Sequence, residues 1–372
     1  MEHEIMRTWA EVNLANIRYN VSAMRSALPQ GTRFLGVVKA NAYGHGALPC
    51  ARAVLEAGAD YLAVACLSEA VELRDGGITA PILILGVTPH EHAEMLAEYG
   101  ITQSVSSLEY ARRLSRTLTR PLKVHMKLDT GMSRTGFNTT HADRFFEIEE
   151  ALRLPNLEYE GVFTHFAVSD CPGDGFTEVQ YERFVKTVER AERVWGRRFA
   201  IRHCANSGAM INHRDYALDM VRPGVMTYGM YPGLERGGIY LRPAMQVKSH
   251  IYDVTEHYPG DTVSYGRTFT AERRMRLAVV PIGYADGLHR ALSGKIDMLI
   301  HGKRCRQVGR ICMDMCMVDV TDIANPRRGE VVTVIGTDGN ETILADELAE
   351  KAGTINYEIT CDFTARVPRI YI

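Results

Sequence analysis

A chain of 372 residues has room for two domains, or for one barrel with an appendage. Its formal net charge of −2 gives no electrostatic reason to expect nucleic acid or an acidic membrane surface as a partner. No run of about 18 apolar residues offers a membrane span, and the opening Met-Glu-His-Glu-Ile-Met-Arg lacks the apolar core of a secretory signal. The expected location is therefore a reducing cytoplasm, although the cytoplasmic part of a membrane-anchored parent would read the same way. Cys50, Cys66, Cys171, Cys204, Cys305, Cys312, Cys316 and Cys361 are scattered, mostly in apolar runs and without a C-x-x-C pair. They read as buried free thiols, not as disulfides or metal ligands.

In chain order, a helix is predicted at about 13–28, with Asn13 placed to cap it. Eight short apolar runs follow, at 34–39, 61–66, 81–85, 103–106, 123–128, 159–165, 201–205 and 220–228. Amphipathic stretches such as 47–57, 69–75, 90–99, 107–117 and 177–194 lie between them. Strands alternating with helices imply parallel strands joined by crossovers. Eight units in about 200 residues fit a closed (β/α)8 barrel. The alternative, an open doubly wound sheet, would carry a Gly-rich dinucleotide fingerprint after its first strand, where none is present.

After residue 235 the rhythm changes. Runs at 244–254, 277–282, 298–300, 315–320 and 331–335 are rich in β-branched residues, with turns at Pro259-Gly260 and Asp338-Gly339 between them. A single helix is predicted near 345–352. The expected fold is thus α/β: a TIM-type barrel over 1–235, then a mainly β domain over 236–372. Residues 1–12 are open to joining the second domain as an extra strand.

Barrel enzymes keep their chemistry at the C-terminal ends of the strands. Here Lys39 ends the first run. Lys127, Asp129 and Arg134 lie at and beyond the fifth, and His165 ends the sixth. His203, Asn206 and Ser207 follow the seventh; Arg222, Gly224 and Tyr228 lie in and after the eighth. Each has a purely structural reading beside the chemical one. His203 could be a hydrogen-bonded core histidine. Lys127 and Asp129 could be an ion pair in the barrel mouth, costly unless fully hydrogen-bonded. Ser207-Gly208 could simply begin a short helix. Yet helix N-termini after strands seven and eight are where barrels often hold phosphate, and Arg222-Pro223-Gly224 adds a guanidinium and a glycine amide there. The stretch Val37-Val38-Lys39-Ala40-Asn41-Ala42-Tyr43-Gly44-His45-Gly46 says most. Its lysine is well placed to form a Schiff base with pyridoxal phosphate, and its small residues let backbone approach a cofactor closely.

That stretch resembles the cofactor-lysine motif of the alanine racemase family. Further segments similar to the family occur in order at 128–136, 161–167, 203–207, 220–229, 263–266, 283–287, 309–314 and 355–358. The resemblance implies a pyridoxal 5'-phosphate barrel with a C-terminal β domain, acting as a homodimer with shared active sites. It implies Lys39 as the cofactor lysine and one catalytic base, and Tyr265, in Val263-Ser264-Tyr265-Gly266, as the opposite base supplied by the partner subunit. Arg222 resembles the arginine at the pyridine nitrogen. Tyr43, Ser207, the amides of Gly224 and Val225, and Tyr357 resemble the phosphate cradle. His165 resembles the histidine that supports the tyrosine. Arg134 and the Met313 backbone resemble the substrate-carboxylate site, and Tyr284 part of the entrance. Lys127 stands where many members carry a carbamylated lysine. Two departures are visible: Ser133, where glycine or histidine is frequent, and Leu288-His289, where others often have Tyr-Pro.

The expected activity is interconversion of L- and D-alanine, which supplies a D-amino acid for peptidoglycan. Racemisation removes a proton from one face of a carbon and returns one to the other, and two bases on opposite faces do this directly. Lysine and tyrosine, with ordinary pKa values of about 10.4 and 10, both have to be poised by neighbours to work near neutrality. A serine racemase domain of a vancomycin-resistance-type membrane protein is the alternative. Decarboxylases of related architecture would carry a catalytic cysteine motif, and non-catalytic barrels that bind the cofactor would lack residues 236–372.

Overall fold

The computed structural model describes residues 6–372. They separate into two compact units. The barrel unit holds 15–42 and 47–242. The β unit gathers the described residues up to Leu14, the short segment Tyr43–Gly46, and Pro243–Ile372.

The chain opens with β1 (Thr8–Val12), part of the β unit, and α1 (Leu14–Ser26). There follow β2 (Arg33–Val37), α2 (Lys39–Tyr43), α3 (Ala47–Glu56), β3 (Tyr61–Val64), α4 (Leu67–Asp75), β4 (Ile82–Ile84), α5 (Ala93–Glu98), β5 (Ile101–Val105), α6 (Leu108–Thr117) and β6 (Leu122–Asp129). The barrel unit continues with β7 (Phe137–Asn138), α7 (Phe146–Ala151), β8 (Leu157–Phe163), α8 (Phe176–Trp195), β9 (Ile201–His203), α9 (Ser207–Asn212) and β10 (Met220–Val221). Eight parallel strands run in the order β10-β2-β3-β4-β5-β6-β8-β9, with β7 added beside β6. A parallel bridge from Asn206 to Arg222 joins the ends of β9 and β10, closing the barrel.

The packing follows from the pattern. Every residue of β3, β4 and β5 is buried, as strands covered by helices require. In α6, Leu108, Ala111, Leu114 and Ser115 form the buried stripe, and Ser107 caps the helix by accepting from the Tyr110 amide. Two expectations need correction. The eighth run is a strand for two residues only. Pro223 brings no N–H to extend a ladder, and Val225–Tyr228 winds into a 3-10 turn. Helix α7 was not foreseen; in its six residues only Ile148 and Ala151 are buried, too short a stripe to stand out.

The β unit contains β11 (Met245–His250), β12 (Asp253–His257), β13 (Thr262–Val263), β14 (Phe269–Thr270), β15 (Met275–Val280), β16 (Asp297–Ile300), β17 (Lys303–Val308), β18 (Cys316–Asp319), β19 (Val331–Asp338), β20 (Glu341–Ile343), α10 (Ala345–Ala352), α11 (Asn356–Cys361) and β21 (Arg369–Tyr371). Its main sheet runs β12-β15-β18-β17-β16-β19-β11-β1-β21, with β20 on β19 and β13–β14 as a separate hairpin. Strand β1 pairs antiparallel with β11 and parallel with β21. The predicted run at 244–254 is two strands, interrupted at Ile251-Tyr252. Helix α11 joins the one predicted helix; its Asn-Tyr-Glu-Ile-Thr-Cys sequence reads poorly as helix by propensity. All eight cysteines are free, but Cys66, Cys171 and Cys361 are exposed, contrary to the buried reading. Among the described residues no helix is long and apolar enough to cross a membrane.

Candidate functional site

Lys39 does not end a strand. Strand β2 stops at Val37, and half-buried Lys39 opens α2, a turn of the wrong hand. Ala40, Asn41, Ala42 and Tyr43 have φ of 53°, 52°, 55° and 53°. Each such L-residue costs roughly 1–2 kcal/mol, and a run of them persists only where surroundings dictate it. Here the Ala42 amide donates to the Val38 carbonyl at 2.9 Å. One oxygen of Glu69 accepts from the Ala40 amide at 2.6 Å, and the other from the Ala65 amide at 2.7 Å. Asn41 Oδ1 accepts from the Ala47 amide at 2.7 Å. Ala40 is exposed, so Ala40→Gly relieves strain without opening a cavity. It is expected to raise the unfolding free energy by about 1 kcal/mol in urea denaturation; an unchanged midpoint would show that the turn is not strained at Ala40.

At the barrel rim, Arg222 is 4% exposed. Its Nη1 donates to His203 Nδ1 at 3.0 Å. Its Nη2 donates to the Thr164 carbonyl at 2.7 Å, to the Cys204 carbonyl at 3.3 Å and towards His165 Nδ1 at 3.4 Å. The His203 ring stacks on Phe163 with centroids 4.9 Å apart. Burial, and then the Arg222 charge, hold both His165 and His203 well below the usual imidazole range, so both rings are neutral. His165 also feels Arg134, Lys127 and Lys39, which places these cations around one rim. Burial and then Arg222 draw the Lys127 ammonium down to about 7, with Asp129 opposing.

Lys127 and Asp129 do not form the ion pair considered above. Lys127 Nζ donates to the Leu128 carbonyl at 2.9 Å, while Asp129 Oδ1 accepts from the amides of Gly131 and Ser133, both at 3.0 Å. Ser133 has φ of 56°, a conformation in which glycine costs less. Arg134 follows it, exposed. Asn206, not Ser207, caps α9: its side chain accepts from the Ala209 amide at 3.0 Å. Ser207, the first residue of the helix, accepts at Oγ from the Gly224 amide at 3.0 Å. The Gly224 amide is therefore spent within the protein. Val225 opens the 3-10 turn, where the first N–H groups have no partner in the turn itself.

His125 was missed. It is fully buried, and its Nδ1 lies 2.8 Å from His203 Nε2. The signal was present: Lys123, His125 and Lys127 alternate along β6, and alternate strand residues share a face.

In the β unit, Tyr43 and Tyr357 bring their rings to 5.9 Å. Burial, and then Tyr357, push the Tyr43 phenol above its ordinary range, so it stays a protonated donor. Gly44 makes this packing possible, since a Cβ there would sit 2.0 Å from the Thr360 carbonyl oxygen. Tyr265 lies on a turn with Ser264 at φ 66°, Gly266 at 73° and Arg267 at 51°. Ser264 Oγ donates to the Arg310 carbonyl at 2.7 Å. The Tyr284 amide donates to the Cys312 carbonyl at 3.1 Å, and the Ala285 amide to the Met313 carbonyl at 3.0 Å. Tyr265, Tyr284 and Met313 thus stand on interlocked loops, 69%, 42% and 53% exposed. His289 pairs with Asp362, just beyond the helix that carries Tyr357.

Residues 12–232 match the family model for the alanine racemase N-terminal domain, and residues 244–371 that for the alanine racemase C-terminal domain. Alanine racemase 2 of Caldanaerobacter subterraneus subsp. tengcongensis is 44% identical over 377 residues, covering 100% of this chain and 96% of that protein. Alanine racemase of Methanococcus maripaludis is 44% identical over 372 residues, covering 98% of each. Among solved structures, alanine racemase of Clostridium difficile superposes with a TM-score of 0.93 at 38% identity, over 99% of this chain and 96% of that one. Alanine racemase of Bacillus anthracis with bound L-Ala-P gives 0.92 at 36%, over 99% and 95%.

Proposed function

We propose that this chain, which belongs to the alanine racemase family, interconverts L- and D-alanine with pyridoxal 5'-phosphate as its cofactor, and so supplies a D-amino acid for peptidoglycan. The observation that carries the reading is the match of both family domains along nearly the whole chain.

The donors of the barrel unit fit that cofactor. Both Nη groups of Arg222 are engaged within the protein, while its Nε has no hydrogen-bond partner among the described residues. Guanidinium does not give up its proton, so a pyridine nitrogen set against Nε would stay unprotonated. Ser207 Oγ accepts the hydrogen bond from the Gly224 amide and keeps its own proton to donate, as a phosphate oxygen needs. When bound, the cofactor withdraws electron density from the substrate's α-carbon. By leaving the ring nitrogen unprotonated, Arg222 would limit that withdrawal and would favour return of a proton to the α-carbon over transamination.

Lys39 Nζ holds or moves the α-proton on one face of the substrate. The partner subunit's Tyr265 does so on the other, with His165 as its support. Arg134 and the Met313 amide bind the substrate carboxylate, and Tyr284 lines the entrance. Tyr43, Ser207, Gly224, Val225 and Tyr357 are the proposed phosphate ligands, with Gly224 acting through Ser207. A homodimer with shared sites is part of the proposal, supported by the exposure of Tyr265 on its strained turn. So is a cytoplasmic site of action, which eight free thiols suit.

Serine is the second substrate to try, because an apolar pocket rejects an added hydroxyl by only about 100-fold. The test is chiral analysis of products from L-alanine and L-serine, with cofactor added. D-Alanine is expected to dominate. Preferential formation of D-serine, or release of CO2, would replace this reading.

A further inference from the structure

Arg222 is a buried cation without a carboxylate at ion-pair distance among the described residues. Its hydrogen-bond partners are two backbone carbonyls and two neutral imidazoles, and its guanidinium lies 5.3 Å from the centroid of the Phe163 ring. A charge so placed is costly unless it is compensated.

The compensation can be followed atom by atom. Guanidinium has no acceptor, so His203 Nδ1 accepts from Arg222 Nη1. A neutral His203 then carries its proton on Nε2 and donates it to His125 Nδ1, 2.8 Å away. His125, also kept neutral by burial, must in turn carry its proton on Nε2. That atom has no hydrogen-bond partner within the protein, and the nearest carboxylate oxygen it faces, Glu160 Oε2, lies 3.5 Å away. The separation is long for a hydrogen bond but leaves Glu160 as the acceptor His125 faces. The Glu160 carboxyl is held down to about 2, first by His125 and also by Lys123, whose Nζ is 3.0 Å away.

The chain is built locally to allow this. Val124 of β6 pairs with Tyr159, and the next residue, His125, pairs with Gly161. Glu160 is therefore the extra residue of a β-bulge, a device that re-aims a side chain. Beside it, a Cβ on Gly161 would sit 2.6 Å from His125 Cε1 and 2.7 Å from both ring nitrogens. Glycine alone leaves room for the imidazole.

We propose that Glu160 is the remote counter-ion of Arg222, coupled to it through an oriented Arg222–His203–His125 chain of hydrogen bonds whose free end, His125 Nε2, faces the Glu160 carboxylate at 3.5 Å. Glu160 is a positioning residue: it fixes both tautomers and thereby the guanidinium. The kinetic consequence rests on the racemase reading; the tautomers do not.

The test uses cofactor-loaded enzyme with 15N-labelled histidine side chains, as wild type, Glu160→Leu and Glu160→Asp. In wild type, His125 and His203 are expected to be neutral with the proton on Nε2. In Glu160→Leu the ring 15N resonances of both are expected to move, the cofactor absorbance to shift, and kcat to fall about tenfold, a size common for groups that orient an active-site residue from behind. Glu160→Asp is expected to restore all three. A proton on Nδ1 of either ring in wild type would overturn the proposal, even if Glu160→Leu failed to fold. So would unaltered His203 resonances and kcat in a folded Glu160→Leu. Correct tautomers in a wild type that does not racemise alanine would uphold the relay and end the racemase reading.

Discussion

Lys39→Ala and Tyr265→Ala are each expected to lower alanine racemisation by about 10⁴-fold, the upper range for loss of a positioned proton-transfer group. The two losses differ in kind. On the proposed reading Lys39→Ala also removes the amine that would hold the cofactor, whereas Tyr265→Ala keeps Lys39 and is expected to retain the visible absorbance of the loaded enzyme. In heavy water Tyr265→Ala should still exchange the α-proton of one enantiomer, because one base remains on one face. Mixing the two variants tests who supplies the tyrosine. If Tyr265 serves the neighbouring subunit, half of the re-formed dimers carry one intact site each, and about a quarter of wild-type activity returns. If Tyr265 serves its own subunit, mixing restores nothing. Full activity in Tyr265→Ala would end the two-base reading.

How much of this was legible in the sequence depended on whether a residue's role is set locally. The barrel strands announce themselves because a parallel strand covered on both faces is mostly apolar, as 61–64 and 82–84 are; buried β5 is the exception, its Gln103 and Ser104 side chains being hydrogen-bonded within the protein. The polar residues at strand ends stand out for the same reason. Roles set by pairing were hidden. Nothing in Tyr159-Glu160-Gly161 shows a bulge, since the bulge exists only against β6. The left-handed turn at Ala40–Tyr43 is invisible because alanine has no preference for it; contacts with Glu69 and the Val38 carbonyl impose it. Asn206 and Ser207 are equally good caps by type, and only the Ala209 amide decides between them. His289, a departure from the family pattern, acquires meaning only through its distant partner Asp362.

Lys127→Met is expected to stabilise the protein, and by more in acid than in base. The sign follows from proton uptake. In the unfolded chain lysine titrates near 10.4, whereas burial beside Arg222 brings Lys127 to about 7 in the folded protein. Between those values the unfolded state binds more protons, so wild-type stability rises with pH. Below about 7 the folded protein must hold a buried ammonium, and the full cost is present. Removing the amine therefore returns more at pH 6 than at pH 9, by about 2.7 kcal/mol at 1.36 kcal/mol per tenfold, measured by urea unfolding in CO2-free buffer. An equal gain at both pH values would mean that Lys127 titrates as an ordinary lysine. The same shift bears on carbamylation. Only the neutral amine attacks CO2; the new N–C bond forms as a proton leaves, and the product is an anion beside Arg222 and Arg134. Wild type in bicarbonate at pH 9 is then expected to gain one CO2 by intact mass and to become more stable, while Lys127→Met does neither. An unmodified Lys127 under those conditions would leave Arg134 without this partner.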